Sequence, residues 1–302
     1  MPGTVAVLIH PCTLLHDPGP GHPESPERLQ AVLDALRPPV PGGRELLWVE
    51  APAAEPEALE RVHPCDYLDR LAAVADAGGG VLDRDTTMGA MSFTAAVHAA
   101  GAAVEASRMA LDGVPAFAAI RPPGHHAGAR TAMGFCLLNN VVVAARAAIE
   151  DRGVQRVLIV DWDVHHGNGT QDLVESDERI RYVSLHQWPL YPGTGRAAER
   201  GVGNIFNVPL PPGLTRARYV AALDDAIGRA TRDWRPELVL ISAGFDAMAG
   251  DPLAGFTLEA EDYAAWVRHL ATLGAPMAAV LEGGYRPDRN AEATTALIEA
   301  LP

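Results

Sequence analysis

Six short apolar runs punctuate the chain, at residues 4–9, 116–120, 156–160, 180–185, 237–242 and 277–281. Each ends in polar, Gly-rich or Pro-rich sequence, the signature of strands buried on both faces. Between them, apolar positions recur at helical spacing near 26–37, 92–111, 138–151, 216–233, 257–273 and 290–300. This alternation predicts an α/β fold, a single domain with a mostly parallel central sheet flanked by helices. Pro26 suits the first turn of its helix, and Thr257 and Asn290 read as N-caps. The irregular stretches 10–25, 121–134, 186–204 and 243–256 are expected to rim a site, because loops carried on a rigid scaffold are where function concentrates.

A length of 302 residues allows one large domain or two ordinary ones. No linker or low-complexity tract divides the strands, so residues 1–302 read as one domain. Met1 to His10 lacks a basic leader region and is expected to be the first strand rather than a signal peptide. No apolar run is long enough to span a bilayer, which predicts no membrane partner and a cytoplasmic location. Cys12, Cys65 and Cys136 are an odd number at wide spacing, which fits a reducing compartment, and Cys136 reads as a packing residue. A net charge of −14 without a basic cluster argues against nucleic acid as partner. It would attract basic substrates such as lysine-rich peptides or polyamines, although solubility explains it as well. Oligomeric state is not encoded in these patterns.

Four of the apolar runs empty into candidate chemistry. Val157 to Val160 leads into Asp161, Asp163, His165 and His166, and strand alternation places Asp161, Asp163 and His165 on one face. Two carboxylates and an imidazole aimed at one point form half of a metal site of the mixed oxygen and nitrogen type that zinc accepts. Asp246, after Leu238 to Gly244, is the best further ligand, since open α/β sheets bind ligands at the carboxyl ends of their strands. Taken alone, Asp246 is equally readable as a helix N-cap. His125 and His126 follow the run 116–120 in a Pro/Gly turn suited to acid/base work, and Tyr285 follows the run 277–281 on a glycine pair, placed to donate to an oxyanion.

These motifs together resemble the zinc-dependent histone deacetylase family, class II-like, of the arginase-deacetylase superfamily. The resemblance runs from His22-Pro23-Glu24-Ser25-Pro26-Glu27-Arg28-Leu29 through RPPGHHA (121–127), GFCLLNN (134–140), DWDVHHGNGTQ (161–171), SLHQ (184–187), SAGFDAMAGDPL (242–253) and LEGGY (281–285). A two-manganese ureohydrolase of the same superfamily would need further aspartates where this chain has Gly167 and Met248, which leaves one metal, zinc. The resemblance implies that Asp163, His165 and Asp246 hold zinc, that His126 is general base, and that His125 is its electrostatic partner. It pairs Asp161 with His125 and Asn168 with His126, and gives Tyr285 the oxyanion. It also implies potassium at Asp161, the Asp163 and His165 carbonyls, Ser184 and Leu185, and a weaker alkali site at Val174, Asp177 and Ile180.

By the same resemblance, Phe135 and Tyr191 wall an acyl-lysine channel, with Trp188 as rival to Tyr191, and Gly134 and Gly284 leave room. The implied activity is removal of acetyl or other acyl groups from lysine side chains of a protein or peptide. An acetylated polyamine is the alternative substrate. Polyamine-specific relatives place an acidic gatekeeper where Leu253 stands here, which favours acyl-lysine. A silent acetyl-lysine binding module is the third reading, disfavoured because Tyr285 and all three ligands are present.

Overall fold

The computed structural model describes residues 3–37 and 43–302; residues 1–2 and 38–42 of the one-domain expectation lie outside these. Its strands are β1 (Val5–Ile9), β2 (Leu46–Glu50), β3 (Gly79–Val81), β4 (Thr87–Gly89), β5 (Ala116–Ala118), β6 (Val157–Asp161), β7 (Ile180–Gln187), β8 (Ile205–Leu210), β9 (Leu238–Ala243) and β10 (Met277–Leu281). Eight of them form one sheet in the order β2-β1-β5-β10-β9-β6-β7-β8, with every neighbouring pair parallel. β3 and β4 pair separately as an antiparallel hairpin. The six expected strands are all present, and the two larger-sheet strands missing from the expectation, β2 and β8, are its edges. An edge strand is not apolar on both sides: Leu47 and Trp48 of β2 are exposed, and β8 carries Asn207 and Pro209, a residue that a ladder tolerates best at its margin.

The helices are α1 (Pro26–Ala35), α2 (Pro56–Glu60), α3 (Cys65–Asp76), α4 (Ser92–Leu111), α5 (Asn140–Arg152), α6 (Asn168–Val174), α7 (Arg216–Thr231), α8 (Ala260–Ala271) and α9 (Pro287–Ala300). α4 covers β1, β5 and β10 and packs along α5 through alanines that permit close approach, while α1, α8 and α9 pack together and α7 lies on β7 and β8. Pro26 does occupy the first turn of α1. Both expected N-caps are displaced. α8 begins after Glu259, whose side chain forms a reciprocal capping box with Asp262, and α9 begins after Arg286 with Pro287 in its first turn. Asn290 is instead buried inside α9, where its Nδ2 donates to the Gly284 carbonyl at 2.7 Å. The side-chain amide thus serves the loop before the helix rather than the helix end.

The loop after β1 and the start of α1 are tied to the sheet by a buried ion cluster. Glu24 accepts two hydrogen bonds of 2.6 Å from Arg121, one of 2.8 Å from Arg28, and lies 3.2 Å from His16 Nε2. Burial alone would raise the Glu24 pKa, but Arg121, His16 and Arg28 outweigh it and hold the carboxyl well below the usual range. The cluster's stabilisation is therefore present above the unfolded carboxylate value of about 4 and is lost as pH falls through the lower folded value. We expect Glu24→Gln, which leaves two guanidinium groups buried and under-compensated, to lower unfolding free energy by about 3–5 kcal/mol in denaturant titration at neutral pH. The difference from wild type should shrink on acidification, and a pH-independent difference would contradict the ionic origin.

Candidate active site

β5, β10, β9 and β6 are consecutive in the sheet, so the four expected strand ends lie side by side although they come from distant parts of the chain. The shared face of Asp161, Asp163 and His165 does not arise by strand alternation, because β6 ends at Asp161. Instead the Asp161 carboxylate accepts from Asp163 N–H (3.1 Å) and the Asp163 carboxylate accepts from His165 N–H (2.9 Å). Two successive turns closed by aspartate side chains fold the segment onto itself. Asp246 caps no helix. One carboxylate oxygen accepts from Val164 N–H at 2.7 Å and the other lies 3.0 Å from His165 Nδ1, which is also 3.1 Å from Asp163.

Asp163, His165 and Asp246 are buried, and their donor atoms lie within 4.8 Å of one another. Burial alone would lower the His165 pKa, but Asp246 and Asp163 push it up to about 10. Burial, then the charge of Asp163, pushes Asp246 up to about 7. The two carboxylates therefore demand positive charge at the position where the His165 proton sits, and a divalent ion meets that demand with a donor set suited to zinc. Room for it is kept by Gly283, where a Cβ would lie 2.4 Å from an oxygen of both Asp163 and Asp246. The expected second-metal positions offer no donor: Gly167 lies against Asp161, and Met248 is a buried apolar side chain.

His125 and His126 lie beside this group with ring centroids 4.0 Å apart and ring planes tilted by 45°. His125 Nδ1 is 3.0 Å from Asp161 and His126 Nδ1 is 2.8 Å from the Asn168 side-chain oxygen, as the resemblance implied. Burial lowers both imidazoles, but Asp163 and Asp161 overcome it and raise His125 well above the ordinary value. His126, repelled by His125 and His165, falls well below it. Asp161 also accepts from the Tyr182 hydroxyl at 2.8 Å. Ser184 is the register partner of Asp161 across β6 and β7, and its hydroxyl meets His186 Nδ1 at 2.9 Å; Leu185, the next residue of β7, is buried. At the expected weaker alkali site, the Val174, Asp177 and Ile180 carbonyls accept from Asn204 Nδ2 at 2.8, 3.1 and 2.9 Å. The chain's own amide fills that cage, so the residues do not fit a second alkali ion.

A cavity of about 190 Å³ opens above the group, lined by Asp85, His126, Gly134, Phe135, His165, Leu190, Tyr191, Leu253 and Tyr285. Tyr191, not Trp188, forms the wall, with its ring edge-on to His126 at 5.2 Å; Trp188 stacks with Arg196 elsewhere. Phe135 faces Tyr285 at 5.7 Å across the cavity, also edge-on. Gly134 and Phe135 both have positive φ (55° and 68°) in a tight two-residue turn bridged between Met133 and Cys136. A phenylalanine in the left-handed region is strained, and Asp85 and Thr86 hold it there by accepting from Gly134 and Phe135 N–H. Gly284 departs from expectation: it does not line the cavity, and its missing Cβ makes room for Asn290.

Tyr285 is aimed by residues whose parts were not assigned from sequence. Asp251 accepts from Tyr285 N–H (2.7 Å) and from Leu253 N–H (2.9 Å), setting both cavity residues at once. Arg28 lies over the Tyr285 ring, 4.9 Å from its centre, and donates to the Glu282 and Gly284 carbonyls. Glu282 accepts from Gly124 N–H (2.7 Å) and His125 N–H (3.1 Å), fixing the histidine turn against β10. Their signal in the sequence was only that Glu282 and Asp251 are charges inside apolar or Gly/Pro surroundings; nothing local marked Asp85. Cys136 is buried, and burial pushes its thiol well above the usual value, in keeping with a packing role.

A sequence model of the histone deacetylase domain matches residues 22–301. The chain belongs to the histone deacetylase family. An uncharacterised protein of Synechocystis is 43% identical over 303 residues, covering 98% of this chain and 99% of its own length. A histone deacetylase-like amidohydrolase of Pseudomonas aeruginosa is 41% identical over 281 residues, covering 88% of this chain and 73% of its own. The crystal structure of the HDA15 HD domain matches with a TM-score of 0.92 at 37% identity, over 98% of this chain and 87% of that one. Membership makes the chain one of a family of deacetylases and amidohydrolases. We expect Gly283→Ala in this family member to lose most bound divalent metal by elemental analysis while remaining folded by circular dichroism. Full metal retention would show that the carboxylates need no such clearance.

Proposed function

We propose that the chain is a zinc-dependent amidohydrolase that removes acetyl or other acyl groups from lysine side chains. The observation that carries this reading is the union of the buried Asp163, His165 and Asp246 group with a narrow cavity walled by Phe135, Tyr191 and Leu253. An acyl-lysine is a slim apolar stem that ends in an amide. Aromatic and aliphatic walls suit the stem, and His126, His165 and Tyr285 reach the space where the amide would lie.

Zinc, when bound, supplies Lewis acidity to the amide carbonyl and to the attacking water. His126 donates through Nδ1 to Asn168, which leaves Nε2 with the lone pair that takes the water's proton. A neutral amide partner stabilises the resulting imidazolium less than a carboxylate would, and keeps this base weak. His125, held charged by Asp161 and Asp163, stabilises developing negative charge and offers a proton to the departing amine. Tyr285 stays un-ionised, since burial pushes its hydroxyl well above the usual value, and donates to the oxyanion. We assign a structural potassium ion to Asp161, Ser184 and the Leu185 carbonyl, supported by the pairing of Asp161 with Ser184.

One observation favours a second reading, an acetylpolyamine amidohydrolase. Asp85 lines the same cavity, so a carboxylate that the sequence did not mark is present to meet a distal ammonium. Leu253 lines it too, which supports the position argued from sequence and leaves that position without charge.

Tyr285→Phe removes one hydroxyl and should lower kcat on an acetyl-lysine peptide by roughly a hundredfold or more with KM little changed. An unaltered kcat would remove Tyr285 from the role given to it. An acetyl-lysine peptide should exceed acetylspermidine in kcat/KM, and Leu253→Glu should shift the ratio towards the polyamine by about 1–3 kcal/mol. Measuring both substrates at low and high salt separates a local contact from diffuse attraction to the acidic surface. A wild-type preference for the polyamine that survives high salt would establish the second reading instead.

A further inference from the structure

Tyr285 follows a backbone segment that has no side chain of its own to steer it. Gly283 and Gly284 precede it, Gly284 at a φ of 119°, and a glycine pair carries little conformational preference. The direction in which the Tyr285 side chain leaves the backbone therefore depends on what holds the successive peptide groups. Gly283 N–H donates to Asp163 at 2.8 Å, and the Gly284 carbonyl accepts from Asn290 Nδ2 and from Arg28. Tyr285 N–H donates to Asp251 at 2.7 Å.

Asp251 is buried on a different loop, the one after β9, and its two oxygens have separate partners. Oδ2 takes Tyr285 N–H, while Oδ1 takes Leu253 N–H at 2.9 Å and closes a turn over Pro252. One carboxylate thus clips together the two loops that supply Leu253 and Tyr285 to the cavity. Burial raises the Asp251 carboxyl, and the two N–H groups work against that rise. Both groups that point at Asp251 are donors, so both of its positions must accept. An asparagine of the same shape has one acceptor oxygen and would turn an NH2 group onto the other N–H.

We infer that Asp251 is a positioning residue that makes substrate selection at Leu253 and oxyanion donation by Tyr285 a single unit, so that neither backbone position shifts alone. The inference rests on the roles proposed above for those two residues, since Asp251 itself does not line the cavity. A misplacement of about 1 Å at a reacting group can cost roughly a hundredfold, so Asp251→Asn should lower kcat on the acetyl-lysine peptide by roughly ten- to a hundredfold. Because that loss passes through the Tyr285 hydroxyl, the same substitution added to Tyr285→Phe should lower kcat by less than about twofold further. The shift towards acetylspermidine produced by Leu253→Glu should likewise shrink when Asp251→Asn is present. A purely structural role would give losses that multiply.

Fluorine NMR reads the placement without turnover. In a chain carrying 3-fluorotyrosine at its six tyrosines, the resonance absent from Tyr285→Phe identifies Tyr285. That resonance should move or split in Asp251→Asn while those of Tyr67 and Tyr219 stay in place. Asp251→Glu, which keeps both oxygens on a longer stem, should move it less and retain more of kcat. An inactive wild type, or an unaltered kcat in Tyr285→Phe, would count against the proposed function, and the resonance would then decide on Asp251. Losses from Asp251→Asn and Tyr285→Phe that multiply, or a Tyr285 resonance unmoved in both Asp251 variants, would each overturn the inference.

Discussion

Four carboxylates, Asp161, Asp163, Asp246 and Glu282, are withdrawn from water at the carboxyl edge of one parallel sheet, and the surrounding atoms are arranged to meet their charge. A carboxylate buried without a partner protonates instead. Here His125 and Tyr182 meet Asp161, His165 is shared between Asp163 and Asp246, and Glu282 takes two backbone N–H groups and lies 3.2 Å from the Ser242 hydroxyl. The compensation is incomplete, since burial still pushes both Asp246 and Glu282 up to about 7. That residual deficit of positive charge is the physical basis for reading the group as a cation site.

The same constraint explains how distant parts of the chain become one device. Glu282 fixes the turn that carries His125 and His126, and the carbonyls beside it accept from Arg28 of α1, which leans on the Tyr285 ring. Arg28 in turn shares Glu24 with Arg121, which precedes the histidine turn. Charge, turn geometry and the aromatic wall are thus joined through buried hydrogen bonds. The strain in Phe135 is sustained in the same way, by Asp85 and Thr86 holding its turn from the neighbouring loop.

Strands buried on both faces are legible because their whole side-chain set is apolar, and six of the eight in the main sheet were found with ends within two residues of those observed. The edges β2 and β8 escaped because half their surface answers to solvent. α2 and α6 escaped because they are short, and Asn168 opens α6 directly after the metal-type motif; α3 was missed although its buried Tyr67, Leu71 and Ala75 recur at helical spacing. Helix starts at Thr257 and Asn290 were misplaced because capping is decided by which side chain reaches the free N–H groups. Glu259 with Asp262 does so at α8.

The sequence by itself determined the α/β class, the strand interiors, the family, and the chemical identity of the groups at four strand ends, since each is written in local spacing and residue type. Only the tertiary structure decided that β5, β10, β9 and β6 are neighbours, that Tyr191 rather than Trp188 walls the cavity, that Gly284 serves Asn290, and that Asn204 fills the weaker alkali cage. It also brought Asp85, Asp251 and Glu282 to the site. Local pattern records how each segment is buried, whereas which segments meet depends on crossover packing between residues more than a hundred positions apart, as with Glu282 and Gly124.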